Sequence, residues 1–181
     1  MKKGIVFLFL VVVQGWAFGQ EIQWMTLEEA LEAQKKEPRK IVMDVYTQWC
    51  GPCKLMDKKT FGNAYVTRYI NEFYYAVKFD AEGTEEITFY DNVYTNPNYK
   101  PERKGRRNGT HQFTQFLGIQ GYPAIVFFSE DGDPIMPIMG YHNVQQFELY
   151  LKMIKQGDYQ TFSGPDDFDK YRKAFVPRFK G

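Results

Sequence analysis

Two cysteines, Cys50 and Cys53, are the whole thiol complement of this 181-residue chain. They lie in Trp49-Cys50-Gly51-Pro52-Cys53-Lys54, directly after an apolar stretch, Ile41 to Tyr46, that reads as a buried strand. A helix is predicted to start at Cys50. Unpaired backbone N–H groups and the helix dipole favour a thiolate there, and the thiolate is the attacking species in disulfide exchange. Cys53 follows one turn later on the same face. It is placed to attack a mixed disulfide formed by Cys50. Pro52 is tolerated in a first turn, where no intrahelical N–H bond is lost. The expected species are a partly exposed, low-pKa Cys50 and a buried Cys53, cycling between dithiol and disulfide.

Other uses of such a pair fit less well. A zinc site needs about four ligands, and the chain adds only the distant His111 and His142. A haem-attachment motif needs histidine after the second cysteine, where Lys54 stands. A structural bridge across so short a loop would remove little entropy from the unfolded chain. No metal and no cofactor beyond a redox-active Cys50–Cys53 disulfide is therefore expected.

Two further features flank the pair. Asp44 sits within the apolar run Ile41, Val42, Met43, Val45. A carboxylate buried there must find a partner or raise its pKa, and a group so tuned could move a proton to or from Cys53. Gly121-Tyr122-Pro123 directly precedes the apolar run Ala124 to Phe128, and proline is acceptable at a strand start.

The elements that must position these residues alternate. A short strand over 21–25 is followed by a helix that starts at a Thr26/Glu29 capping box and ends at Glu37, before Pro38. The strand Ile41 to Tyr46 leads into a helix over Cys50 to Phe61, and helical spacing resumes at Val66, Tyr69, Ile70 and Phe73. Tyr74 to Phe79 reads as a second core strand. Turn formers and charge mark 83–111 as an irregular insertion. A short helix around Phe113, Phe116 and Leu117 precedes two strands, Ala124 to Phe128 and Ile135 to Met139. Asp131-Gly132 signals a hairpin between them. Val144, Phe147, Leu151 and Ile154 form one helix face, and Pro165 to Phe175 reads as another helix in a polar tail, 157–181. Alternation plus a hairpin implies an α/β fold, a mixed central sheet with helices on both faces.

At the start of the chain, Lys2 and Lys3 precede the apolar run Ile5 to Val13, and Ala17-Phe18-Gly19 offers small residues for cleavage. This is the pattern of a signal peptide over 1–19, too short for a membrane span. The segment carries two lysines and no acids. Its removal leaves 162 residues with 21 basic against 22 acidic side chains. A near-neutral exported domain of that size, about 20–156 plus its tail, has no global field for nucleic acid or anionic membrane. The location expected is periplasmic or secreted.

Asp44-Val45-Tyr46-Thr47-Gln48-Trp49-Cys50-Gly51-Pro52-Cys53-Lys54 resembles, without gaps, the active-site block of the thioredoxin superfamily. Gly121-Tyr122-Pro123-Ala124 is similar to its cis-proline loop, and Gly140 also matches. Lys78 resembles a lysine that neighbours the family's buried acid. Met56-Asp57-Lys58-Lys59-Thr60-Phe61 is similar to exported members and to the C-terminal domain of the transmembrane disulfide-interchange reductase. The resemblance covers about residues 21–156. It implies a thioredoxin-like three-layer sandwich and a thiol–disulfide oxidoreductase. Catalysis would fall to Cys50, Cys53 and Asp44, support to Trp49, Gly51, Pro52 and Lys78, and substrate docking to Gly121, Tyr122 and Pro123. The implied partners are protein disulfides and a dithiol electron donor. Gly51-Pro52 resembles reducing members; the alternatives are a disulfide-donating oxidase, or a binding module that docks through the insertion and tail. Thr47, the long 83–111 segment and the tail after Gln156 depart from the family pattern.

Overall fold

A computed structural model describes residues 21–181, so the signal segment expected over 1–19 lies outside the described residues. In chain order the elements are β1 (Trp24–Met25), α1 (Leu27–Gln34), β2 (Lys40–Tyr46), α2 (Gly51–Met56), a π-helical turn (Asp57–Phe61), α3 (Ala64–Phe73) and β3 (Tyr74–Asp80). There follow β4 (Ile87–Phe89), β5 (Asn92–Tyr94), α4 (Gln112–Phe116), β6 (Ala124–Phe128), β7 (Pro134–Met139), α5 (Val144–Gln156) and α6 (Pro165–Ala174). Short 3₁₀ turns occupy Pro101–Arg103 and Asp158–Thr161.

Five strands form one sheet in the order β1-β3-β2-β6-β7. The pairs β1–β3 and β2–β3 are parallel, while β2–β6 and β6–β7 are antiparallel. The two-residue period of a strand sends neighbouring side chains to opposite faces. Ile41, Met43 and Val45 of β2 therefore join a core with Leu27 and Ala30 of α1 and Phe113 of α4. Val42, between them, joins the opposite core with Met56, Phe61, Val66, Ile70 and Phe147. Asp44 belongs by alternation to that second face, beneath α2 and the π-turn. Full burial of side chains such as Phe127 and Phe128 stabilises the sandwich by roughly 1.5–3 kcal/mol each.

Several boundaries differ from the sequence expectation for local reasons. Helix α1 keeps its Thr26/Glu29 capping box but ends at Gln34, whose side-chain amide turns to the carbonyls of Arg39 and Ser129. The expected single helix over Cys50 to Phe61 widens after Met56: Gly62 N–H bonds to Asp57 O at 2.9 Å, across five residues. A Cβ at Gly62 would stand 2.8 Å from Lys58 O, so glycine permits the close approach. Segment 83–111 is not wholly irregular, because β4 and β5 pair antiparallel within it and Phe89 opposes Asn92. Tyr90 and Asp91, both at positive φ, make the two-residue turn. Ile87 and Phe89 are core residues, so the segment packs on the α1 face of the sheet.

The tail is fastened to the other face. Phe168, Tyr171, Phe175 and Phe179 pack against the core that contains α5. Glu148 of α5, at 0% exposure, accepts N–H bonds from Arg178 at 2.8 Å and Phe179 at 2.8 Å, and it pairs with Lys152 at 2.5 Å. A chain ending at Phe175 would strand this carboxylate beside Lys152 alone. Such a truncation is expected to cost about 3 kcal/mol of stability, since buried charges that lose their partners are expensive. Urea unfolding measures it, and a change below about 0.5 kcal/mol, within ordinary surface variation, would show the tail to be a passenger.

Candidate active site

The redox motif sits where the sheet hands over to helix. Cys50 caps α2 in extended conformation, and its Sγ accepts the N–H of Cys53 at 3.1 Å. Cys50 and Cys53 form a disulfide with Cα atoms 5.3 Å apart. Pro52 lies in the first turn of α2, as the sequence implies. The expectation of a partly exposed Cys50 is corrected: Cys50 is 2% and Cys53 3% exposed. Each sulfur is bonded to the other, and the rings of Trp49 and Tyr122 stand edge to face at 6.2 Å beside the motif. That rim comes from two distant parts of the chain and has no local sequence signature.

On the sheet face covered by α2 and the π-turn lies a charged triad. Asp44 pairs in register with Lys78 on the adjacent strand β3, so the two side chains share one face. Their charged groups are 3.3 Å apart. Lys78 also contacts Asp57, on the π-turn, by a hydrogen-bonded ion pair. Asp44 is nearly sealed, and burial raises its pKa from 3.8 to about 7; Lys78 opposes the rise and Asp57 adds to it. Burial works against the Lys78 ammonium, but Asp44 and Asp57 outweigh it and raise its pKa. The ammonium also lies 5.1 Å from the ring centroids of both Trp24 and Tyr46. A cleft of about 510 Å³, lined by Trp24, Asp57, Phe61 and Lys78, reaches this triad from solvent. Asp57 is the residue that sequence reasoning missed as part of the site. A signal was present, since it follows Cys53 by four positions on a helix start.

Tyr122 and Pro123 stand beside the motif. Ala124 opposes Val45 in the β2–β6 register, which brings the preceding loop to the end of β2. The Tyr122–Pro123 bond is cis, and Pro123 O accepts the N–H of Gly140 at 2.8 Å. Nothing lies within 4 Å of a Cβ built on Gly51 or Gly121, so packing alone does not demand glycine at either.

Trp49 is held by groups that local reading did not bring to it. Its indole N–H donates to Glu82 at 2.7 Å, and the same Glu82 oxygen accepts the N–H of Asn108 at 2.7 Å. The Arg107 guanidinium lies 4.7 Å from the Trp49 ring centroid. His111 is fully buried; its Nδ1 accepts the N–H of Phe113, so Nε2 carries the proton towards Glu85 O. His142 meets Gly140 O through Nδ1. Among the described residues, no group of three or more His, Cys, Asp or Glu side chains could hold a metal ion. Nor is any helix among them long and apolar enough to cross a membrane.

Comparison with known proteins agrees with this architecture. A family model described as a thioredoxin-like domain matches residues 27–155. The thiol:disulfide interchange protein DsbD of Pectobacterium atrosepticum is 25% identical over 119 residues, which are 65% of this chain and 17% of that protein. The chain thus spans about a sixth of that relative's length. A thioredoxin-fold protein from Helicobacter pylori superposes with a TM-score of 0.57 at 18% identity, covering 87% of each chain. A thioredoxin from Thermus thermophilus gives 0.54 at 14% identity over 74% of this chain and 87% of that one.

Proposed function

The chain belongs to the thioredoxin-like family, and from that premise we propose that it is an exported oxidoreductase that reduces or exchanges protein disulfides through Cys50 and Cys53. The observation that carries this reading is the Cys50–Cys53 pair at the cap of α2, with Asp44 buried on the strand that leads into it and its pKa raised to about 7.

In the reduced protein the Cys50 thiolate attacks one sulfur of a substrate disulfide. A bond forms between Cys50 Sγ and that sulfur, and the other substrate sulfur leaves as a thiolate. Cys53 then gives its proton to the Asp44 carboxylate and attacks Cys50 Sγ. The second substrate thiolate leaves, and two electrons have passed from the dithiol to the substrate. A dithiol donor returns the electrons and restores the pair. A carboxyl group titrating near neutrality can take this proton and give it back, which a carboxylate of ordinary pKa does poorly. Lys78 holds the Asp44 charge when it forms. Trp49 and Tyr122 supply flat apolar contacts beside the sulfurs. Among the described residues, neither Gly121 nor Tyr122 spends its backbone N–H on another backbone group, which suits docking of an extended substrate as an added strand. The apolar run Ile5 to Val13 behind Lys2 and Lys3 supports export.

Gly51-Pro52 resembles reducing relatives, so the Cys50–Cys53 couple is expected near roughly −270 mV, not the −120 mV of a strong oxidant. Equilibration in glutathione buffers, read by alkylation of free thiols, measures the couple. A potential close to the strong oxidant would replace the reductase with a disulfide donor.

A further inference from the structure

We propose that the loop from Lys100 to Arg107 is a docking rim for protein substrates that carry acidic residues beside the target disulfide. The inference rests on the oxidoreductase reading and names the class of substrate it would favour.

Lys100, Arg103, Lys104, Arg106 and Arg107 are all exposed, and the stretch holds one acid, Glu102. Among the described residues none of the five cations joins an ion pair. The chain as a whole carries a formal charge of only +1, so this is a local concentration of charge and not part of a general basicity.

The loop is anchored to the redox motif instead of trailing in solvent. Arg107 covers the face of Trp49, and Asn108 shares Glu82 with the Trp49 indole. Lys104 and Arg106 border a small cleft with Gln48 and Trp49. The Asn108 side chain closes the loop on itself, accepting the N–H of Lys100 at 2.7 Å and donating to Lys100 O at 2.8 Å. The carboxylates nearest the rim are already engaged. Asp80 accepts from Gln48 at 3.0 Å and from the Glu82 N–H at 3.1 Å, and Glu82 is buried. They serve the base of the loop and leave its outward cations for a partner.

Position decides between partner classes. Trp49 adjoins Cys50 in the chain, so the rim fixed to Trp49 stands beside the motif that a substrate disulfide must reach. Cations there act within a Debye length, about 8 Å at physiological salt, on residues flanking that disulfide. A membrane or nucleic acid brings no disulfide to Cys50.

The test uses the reduced full chain and two disulfide-bonded peptides of equal length, one flanked by glutamates and one by lysines. At low ionic strength the acidic peptide is expected to be reduced at least about tenfold faster, since local fields of this kind raise association rates by 10-fold or more. The ratio should fall to within about twofold at 1 M salt, where screening reaches about 3 Å. In K104E/R106E the loop holds three cations against three acids, so the preference should fall to within about twofold, with continued reduction of both peptides serving as the sign that the variant is folded. Equal rates in the wild type, or a preference that the double variant leaves intact, would overturn the proposal. So would equal rates combined with binding to phosphatidylglycerol vesicles that K104E/R106E abolishes, which would assign the rim to a lipid surface. Failure to reduce either peptide would instead remove the dithiol reading and this inference with it.

Discussion

Cys50→Ser is expected to lower catalysed insulin reduction by dithiothreitol at least about a thousandfold, to the uncatalysed rate. Removal of a nucleophile leaves no group able to form the covalent intermediate, and losses of this order follow. A serine hydroxyl at the same helix cap cannot substitute, because it does not ionise near neutrality. The fold should survive. The bridge between Cys50 and Cys53 spans three positions and constrains the unfolded chain little. Far-UV circular dichroism and an unfolding midpoint near the wild-type value would separate lost chemistry from lost structure. Residual catalysis above a few per cent in Cys50→Ser would assign the attack to some other group.

Asp44→Asn should change activity and stability in opposite directions. The folded pKa of Asp44, about 7, lies above its ordinary 3.8 because burial penalises the charge. The native state therefore holds this proton more tightly than the unfolded chain does. Its contribution favours folding fully below about pH 4 and is lost as pH rises to 7. Asparagine keeps the shape without the charge, so the variant should gain on the order of 4 kcal/mol at pH 8 and almost nothing at pH 4. Lys78 keeps Asp57 as a partner in the variant. Exchange, in contrast, should slow about a hundredfold near neutrality, the lower end of what a positioned acid–base group supplies. Unfolding curves at the two pH values and rates from pH 6 to 9 measure both effects. Full wild-type rates across that range would remove Asp44 from the proton path.

What could be read from the sequence was local. The strand Lys40–Tyr46, the helix start at Cys50 and the placement of Asp44 inside an apolar run all lie within fifteen residues, and periodicity is enough to order them. Lys78 is different. Its pairing with Asp44 depends on the register between β2 and β3, which periodicity cannot supply; only resemblance to a family suggested it. Asp57 was within reach, four residues past Cys53, but the widened turn that aims it at Lys78 has no pattern of its own. The hairpin Ile87–Tyr94 was hidden because its turn is Tyr90-Asp91, not a glycine-containing pair. The near-complete burial of Cys50 and the clamp of Glu82 and Arg107 on Trp49 join residues more than thirty positions apart. Such contacts follow from packing and leave no trace in spacing.

The most direct test of the central claim is capture of a covalent intermediate. Cys53→Ser keeps the attacking thiol and lacks the one that resolves the mixed disulfide. Incubated in reduced form with disulfide-bonded insulin, it should accumulate an adduct in which an insulin cysteine is joined to Cys50, visible by mass and released by dithiothreitol. Cys50→Ser under the same conditions should accumulate none, because it lacks the thiol at the α2 cap, where the helix start favours the attacking thiolate. An adduct that forms through Cys53 in Cys50→Ser and is missing in Cys53→Ser, or no adduct in either variant, would contradict the account.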